Sequence, residues 1–345
     1  MTKIDVVSGF LGAGKTTLIK KLLKEALDGS KTVLIENEFG EIGIDGGFLK
    51  ESGIEIKEMN SGCICCSLVG DFGTSLKEVI STYAPERILI EPSGVGKLSD
   101  VLKAVENVAG DLDVEINSAV AVVDASKCKM YMKNFGEFFS NQIEYAGTII
   151  LSRTDKVDQA KLNACVEMIR EHNDKATIIT TPLDQLDGRE VLKTIEGADK
   201  LEDMMKEMLE HIHDDHDEDE CCGHDHDHEH HHHDHDGECG CGHDHHHEGH
   251  HHADDVFSSW GTETPNKYDK ETLEDILKKL ANTEEYGKIL RSKGMLPCTD
   301  GTWMYFDLVP GEYEIRDGKA DFTGRICVIG AELKEDALKT LFEIA

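Results

Sequence analysis

Ile4-Asp5-Val6-Val7-Ser8-Gly9-Phe10-Leu11-Gly12-Ala13-Gly14-Lys15-Thr16 is the stretch whose reading decides the fold. Its second half fits G-x-x-x-x-G-K-[ST]. With Gly at ~7% of residues, a chance match in a chain this long is about a one-percent event. The apolar run before it reads as a strand and the residues after it as a helix, the setting a phosphate-binding loop requires. In such a loop Gly9, Gly12, Ala13 and Gly14 let backbone N–H groups converge on phosphate oxygens, and the helix start adds a favourable field. Lys15 is expected to pair with the β- and γ-phosphates and the Thr16 hydroxyl to ligate Mg²⁺, with Thr17 also at the nucleotide. The bland alternative is an ordinary glycine-rich turn.

Working outward, residues 1–200 alternate short apolar runs with amphipathic segments. Strands are expected at 4–8, 32–36, 54–58, 87–90, 119–123, 148–151 and 176–180, and helices at 15–27, 68–83, 99–108, 159–171 and 188–209. Alternation of this kind implies βαβ units and a mostly parallel sheet covered on both faces. After Val256-Phe257-Ser258-Ser259-Trp260 the pattern predicts helices at 270–280, 284–291 and 335–343, with strands at 303–309, 312–316 and 325–329. The expected class is therefore α/β, with a nucleotide domain (1–210), a linker (211–255) and a small α+β C-terminal domain (256–345).

The linker differs in kind. Residues 211–252 hold 18 His, 14 Asp or Glu and 4 Cys, and Ile212 is their one sizeable aliphatic. Such a stretch cannot bury enough apolar area to offset its ordering entropy, so it is expected to be disordered without metal. A flexible chain of that length reaches roughly 35 Å. Its imidazoles and thiols, among them Cys221, Cys222, His224, His226, His228, Cys239 and Cys241, suit zinc, nickel, cobalt or copper. The whole chain carries 36 Lys and Arg against 69 Asp and Glu, a formal charge of −33, and residues 201–255 alone hold 20 acidic residues and 1 basic. That balance disfavours nucleic acid and anionic membranes and favours cations. Eleven cysteines, clustered rather than regularly spaced in a chain of 345 residues, read as metal or redox chemistry more than a disulfide scaffold. Met1-Thr2-Lys3 runs straight into a strand and no apolar run approaches the ~18 residues of a membrane span, so a soluble, cytoplasmic protein is expected.

Three further motifs sit near expected strand ends. Cys63-Ile64-Cys65-Cys66 is tighter than a structural zinc knuckle and lacks a second cysteine pair nearby, which points to an open thiolate site exchanging its metal. Buried small thiols are the plain alternative. Residues 36–45 are acidic and precede it, so Glu36 and Glu41 can complete a Cys/carboxylate shell, although a solvated loop explains either one as well. Glu91-Pro92-Ser93-Gly94 lies where a Walker B acid and second switch belong. Glu91 is expected to contact Mg²⁺ through water or position the attacking water, and the Gly94 N–H to approach the γ-phosphate. Ser152-Arg153-Thr154-Asp155 stands where Asn-Lys-x-Asp reads guanine. There Asp155 can accept hydrogen bonds from the base and Arg153 can lie along it, or Asp155 can simply cap the next helix.

Together these residues resemble the CobW-type metal-trafficking GTPases, relatives of the nickel accessory GTPases of hydrogenase and urease maturation. Ser8–Thr17 is similar to the family's phosphate loop. Glu36-Asn37-Glu38-Phe39-Gly40-Glu41 and Gly62-Cys63-Ile64-Cys65-Cys66 resemble its switch and metal motifs, and Glu91-Pro92-Ser93-Gly94 its Glu-x-x-Gly signature. Leu290-Arg291-Ser292-Lys293-Gly294 and Val328-Ile329-Gly330 resemble its C-terminal domain. The resemblance implies GTP hydrolysis with Mg²⁺, delivery of zinc or in some branches cobalt to a client protein, and metal ligation by Cys63, Cys65, Cys66, Glu36 and Glu41. Ser152 and Arg153 depart from the usual guanine motif.

The expected cycle has GTP ordering the 36–45 and cysteine loops around one metal and hydrolysis releasing it to the client. No motif places an arginine at the transferred phosphate, so slow turnover is expected of the chain alone. Two other classes remain open: a metal buffer or sensor with a regulatory nucleotide site, and a P-loop ATPase or kinase of another kind. The identity of metal and client and the oligomeric state, a homodimer included, are likewise open.

Overall fold

A computed structural model of the chain describes residues 1–37, 55–59, 69–110, 112–197, 256–320 and 323–344. Seven parallel strands form the first sheet, in the order β3-β2-β4-β1-β5-β6-β7. They are β1 (Thr2–Gly9), β2 (Thr32–Asn37), β3 (Glu55–Met59), β4 (Arg87–Glu91), β5 (Val114–Asp124), β6 (Thr148–Ser152) and β7 (Thr177–Ile179). The connecting helices are α1 (Lys15–Glu25), α2 (Val69–Tyr83), α3 (Leu98–Ala109), α4 (Cys128–Glu144), α5 (Gln159–His172) and α6 (Gly188–Glu196). Val7, Leu34, Leu89, Val120 and Ile150 share one apolar cluster with Leu18, Ile19 and Leu22 of α1 and Val191 and Ile195 of α6. Alternate strand residues such as Ile4, Val6, Ile88 and Ile90 are also fully buried, so both sheet faces are covered. Because the central residues of β1, β4, β5 and β6 are inside, those strands read as continuous apolar runs.

A buried polar knot closes the end of this sheet away from the phosphate loop. The Asp5 carboxylate accepts hydrogen bonds from Asn117 Nδ2 and Ser118 Oγ, both at 2.6 Å, and from the Arg87 guanidinium. Arg87 also donates to Glu196, tying α6 to the sheet. Burial pulls the Arg87 pKa down, but the carboxylates of Asp5 and Glu196 more than reverse it and keep the guanidinium charged.

Five antiparallel strands form the second sheet, in the order β11-β10-β9-β12-β8. They are β8 (Ser258–Thr264), β9 (Lys288–Pro297), β10 (Trp303–Val309), β11 (Glu312–Gly318) and β12 (Gly324–Ala331). Helices α7 (Lys270–Asn282) and α8 (Glu335–Leu341) cover one face, packing Leu273, Leu277 and Leu338 on Leu296, Phe306, Ile326 and Val328. Both sheets belong to one compact unit.

An aromatic cluster joins the two halves. Phe10, the second residue of the phosphate loop, lies 4.6 Å from the Tyr131 ring centroid and 5.6 Å from that of Phe135. Phe257, the residue before β8, sits 5.0 Å from Phe138, 5.4 Å from Phe135 and 6.2 Å from Phe10.

Two expectations need correction. Residues 284–291 do not form a helix: β9 begins at Lys288 and runs through the sheet's centre, hydrogen-bonded to β10 and β12. Gly287, at φ 101° and packed against the Glu332 backbone, makes the turn into it. The sequence reading also left out α4, whose repeat is broken at Phe135 by non-helical backbone (φ −139°, ψ 35°). The helix expected at 188–209 closes at Glu196 and is capped by Gly197; residues 198–209 lie outside the described residues.

Candidate functional site

The C-terminal ends of β1, β4, β5 and β6 meet at one edge, and the strand order reverses on either side of β1. That is where open parallel sheets bind ligands. Gly9, Gly12 and Gly14 adopt φ of 147°, 70° and 108°, a region that favours glycine. At Gly9 a Cβ would stand 2.4 Å from the Val122 carbonyl oxygen. The loop thus presses on β5 before turning into α1, whose N-terminus faces the cleft.

Lys15 is buried and donates from Nζ to the Gly9 carbonyl at 2.9 Å, folding back over the loop. Thr16 Oγ1 donates to the Glu91 carboxylate at 3.2 Å. A hydroxyl and a carboxylate are hard oxygen donors, the set Mg²⁺ selects. Gly94 packs so tightly on the loop that a Cβ there would meet Leu11 N at 2.9 Å. Gln142 Nε2 holds the same turn through the Gly96 carbonyl at 2.8 Å.

At the opposite end, Ser152 Oγ donates to the Ala13 carbonyl at 2.6 Å, fastening the β6 loop to the phosphate loop. Arg153 is left-handed (φ 55°) and its guanidinium is tied to the buried Asp124 carboxylate. Asp155 is exposed on a short 3₁₀ turn, Thr154–Lys156.

Glu36 is buried at the end of β2 and is the register partner of Glu91 on β4. A residue of the expected metal set and a residue of the phosphate site therefore stand side by side on hydrogen-bonded strands. The other expected metal ligands lie outside the described residues: Glu41, Cys63, Cys65 and Cys66, and Cys221, Cys222, His224, His226, His228, Cys239 and Cys241 in the tract. Among the described residues, no group of three or more His, Cys, Asp or Glu is arranged to hold a metal ion. None of the described helices is long and apolar enough to cross a membrane.

The structure adds residues that motif reading did not supply. A cleft of about 500 Å³ above the loop is walled on one side by Gly12, Gly14, Lys15, Thr16 and Glu91, and on the other by Arg291, Asp307, Val309, Glu312 and Glu314. A Cβ on Gly12 would fall 2.2 Å from Val309 Cγ1. Glu312 Oε1 pairs with Lys156 Nζ at 2.5 Å, and Oε2 with Arg153 at 3.6 Å. Lys20, one turn along α1 from Thr16, has its pKa lowered by burial first and then by the nearby Arg316. The signal that marks this wall is the strict alternation of Arg291 and Lys293 with Leu290, Ser292 and Gly294, a strand with one charged face.

Comparison with known proteins agrees with this architecture. The family model described as "CobW/HypB/UreG, nucleotide-binding domain" matches residues 3–180. The chain belongs to this family. The model for the cobalamin synthesis protein cobW C-terminal domain matches residues 257–345. Among CobW-type relatives, the zinc chaperone CobW of Sinorhizobium sp is 33% identical over 187 residues, 46% of this chain and 52% of that protein. The zinc chaperone YeiR of Escherichia coli (strain K12) is 28% identical over 188 residues, 54% of this chain and 57% of that one. The chain thus spans a little over half the length of these curated relatives. Among solved structures, the Zn(II)-bound YjiA GTPase of E. coli aligns at 19% identity over 99% of this chain and 98% of its own, with a TM-score of 0.41.

Proposed function

We propose that this CobW-type chain hydrolyses GTP and uses the cycle to hold a transition metal, zinc first, and release it to a client metalloprotein. The observation that carries the reading is the register pairing of Glu36 with Glu91. β2, which carries Glu36 of the candidate metal set, and β4, which ends at Glu91 of the phosphate site, are bonded along their length, so a change at one terminus is felt at the other.

In this reading residues 1–210 are the nucleotide domain, 211–255 a metal-collecting linker and 256–345 the domain that meets the client. Backbone N–H groups of Gly9 to Thr17 cradle the phosphates, and Lys15 swings from the Gly9 carbonyl to the β- and γ-oxygens. The Thr16 hydroxyl, and Glu91 through water, would hold Mg²⁺, which when bound would neutralise phosphate charge. Glu91 orients the water, and the Gly94 N–H reports whether the γ-phosphate is present. Ser152 keeps the base loop against the phosphate loop while Asp155 accepts from the guanine N1 and N2 hydrogens and Arg153 flanks the ring. Glu36, Glu41, Cys63, Cys65 and Cys66 form the cargo site. The tract, with Cys221, Cys222, Cys239, Cys241 and the histidines around His224, His226 and His228, raises the local metal concentration.

The decisive experiment titrates zinc into the full-length protein loaded with a non-hydrolysable GTP analogue or with GDP. The analogue is expected to tighten zinc about tenfold, and zinc to tighten the analogue by the same factor, since the coupling is reciprocal. Equal zinc affinity in both states sinks the cycle. Displacement of the analogue by ATP as readily as by GTP sinks the guanine assignment.

A further inference from the structure

The second sheet has two unlike faces, and its registers place them. Leu296, Phe306, Leu308, Ile326 and Val328 face the α7/α8 core. The residues between them project the other way, in rows across the strands. Arg291 is flanked by Ile329 on β12, and one step beyond the Leu308–Ser292 pair its row continues to Val309, which is opposite Glu312 on β11. The next row sets Lys293 beside Asp307 and Glu314. Lys293 and Val309 are buried although neither belongs to the helix-side core, because this face is turned to the nucleotide layer.

Arg291 stands in the row that lies over the phosphate loop. Val309 of that row fills the space above Gly12, and Arg291 lines the same cleft as Gly12, Lys15, Thr16 and Glu91. Its strand is bonded on both sides, and the Asp307 carboxylate, 3.9 Å from the Arg291 guanidinium, also accepts from Arg316 at 2.6 Å. The group is thus held by a fixed backbone and a carboxylate already shared. The cleft's other cations are placed differently. Lys15 belongs to the loop itself, and Arg153 is bound to Asp124 and Glu312 at the base end.

From this geometry we infer that Arg291 is a catalytic residue of the hydrolysis proposed above, supplied in cis by the C-terminal sheet to the γ-phosphoryl group. The inference rests on that function and names a component the phosphate motifs lack. In the reaction water forms a new P–O bond at the γ-phosphorus and the bond to the β–γ bridging oxygen breaks, giving GDP and inorganic phosphate. Charge then spreads over the γ-oxygens and the bridging oxygen, and a planar guanidinium donates to two of them at once. Arg291 takes up and gives no proton; it stabilises charge that develops only in the transition state.

The test uses full-length protein, single-turnover phosphate release from GTP, and binding of GDP with and without aluminium fluoride. R291A is expected to lower kcat roughly 10³-fold, the low end of the range removed with other transition-state arginines. GDP affinity should stay within about threefold, and the tightening of GDP by aluminium fluoride should disappear. R291K, which keeps charge but not the fork, should fall between, and it carries the same test if R291A does not fold. A variant that hydrolyses at the wild-type kcat, or one slowed only through KM, overturns the role of Arg291 while leaving the GTPase reading in place. Wild-type protein that releases no phosphate overturns both.

Discussion

The two sheets bury their strands by opposite rules. In the parallel sheet the successive residues Ile88, Leu89 and Ile90 are all fully enclosed. In the antiparallel sheet Phe306 and Leu308 enter a helix-covered core while Asp307 between them stays partly exposed and lines the cleft. The first sheet is a rigid base whose strand ends carry the phosphate loop. The second turns over that loop a face on which Arg291, Lys293, Asp307, Glu312 and Glu314 stand beside Val309 and Ile329. Motif-bearing residues therefore make only one wall of the site; the other comes from a domain that carries no nucleotide motif.

If this contrast is right, removing a charge should cost far more in the first sheet than in the second. R87A strands the Asp5 carboxylate in the interior, where an uncompensated charge costs about 3–5 kcal/mol. R316A removes a half-exposed partner of Asp307 and is expected to cost under ~1 kcal/mol. Urea unfolding of both variants gives the comparison directly, and similar losses would erase it. A second variant probes where the sheets touch. G12A combines left-handed strain of about 1–3 kcal/mol with a clash against Val309. G12A/V309A should recover the clash but not the strain, a coupling of roughly 1 kcal/mol in thermal melts. Strict additivity would mean that the hairpin does not rest on the loop. The smallest effect is at Glu312. The hydrogen bond from Lys156, with attraction from Arg153, holds its carboxyl below the usual carboxylate range. Its stabilisation is fully present above that range and is lost as pH falls through the depressed value. E312Q should cost under ~1 kcal/mol at neutral pH and flatten that acid limb in pH-dependent melts. An unchanged limb would detach Glu312 from Arg153 and Lys156.

The same contrast governs what could be read in advance. Short apolar runs alternating with amphipathic segments located the parallel strands of the described residues, although β5 begins at Val114, five residues before its expected start, and the loop motif gave Lys15 and Thr16 their neighbours. Two kinds of segment resisted. In α4 the apolar spacing slips at Phe135 and Gly136 because the helix itself kinks there, so no single period fits. Around 284–291 the charged residues Lys288 and Arg291 with Leu290 look helical in isolation. Only pairing with β10 and β12 makes Arg291 and Lys293 one face of a strand, and that information is carried by distant residues. Ser152 shows the limit at the site: the sequence marks it as a departure from Asn, and its hydroxyl bond to the Ala13 carbonyl appears only once β6 is set beside the loop.

One contact sets a rule for anyone who shortens the chain. Phe257 shares an aromatic nest with Phe10, whose backbone is already part of the phosphate loop. Whatever joins Gly197 to Val256 must have slack enough to let that ring reach home. An overly short tether would tug at nucleotide binding from a point far along the sequence, and the damage would be mistaken for a lost metal.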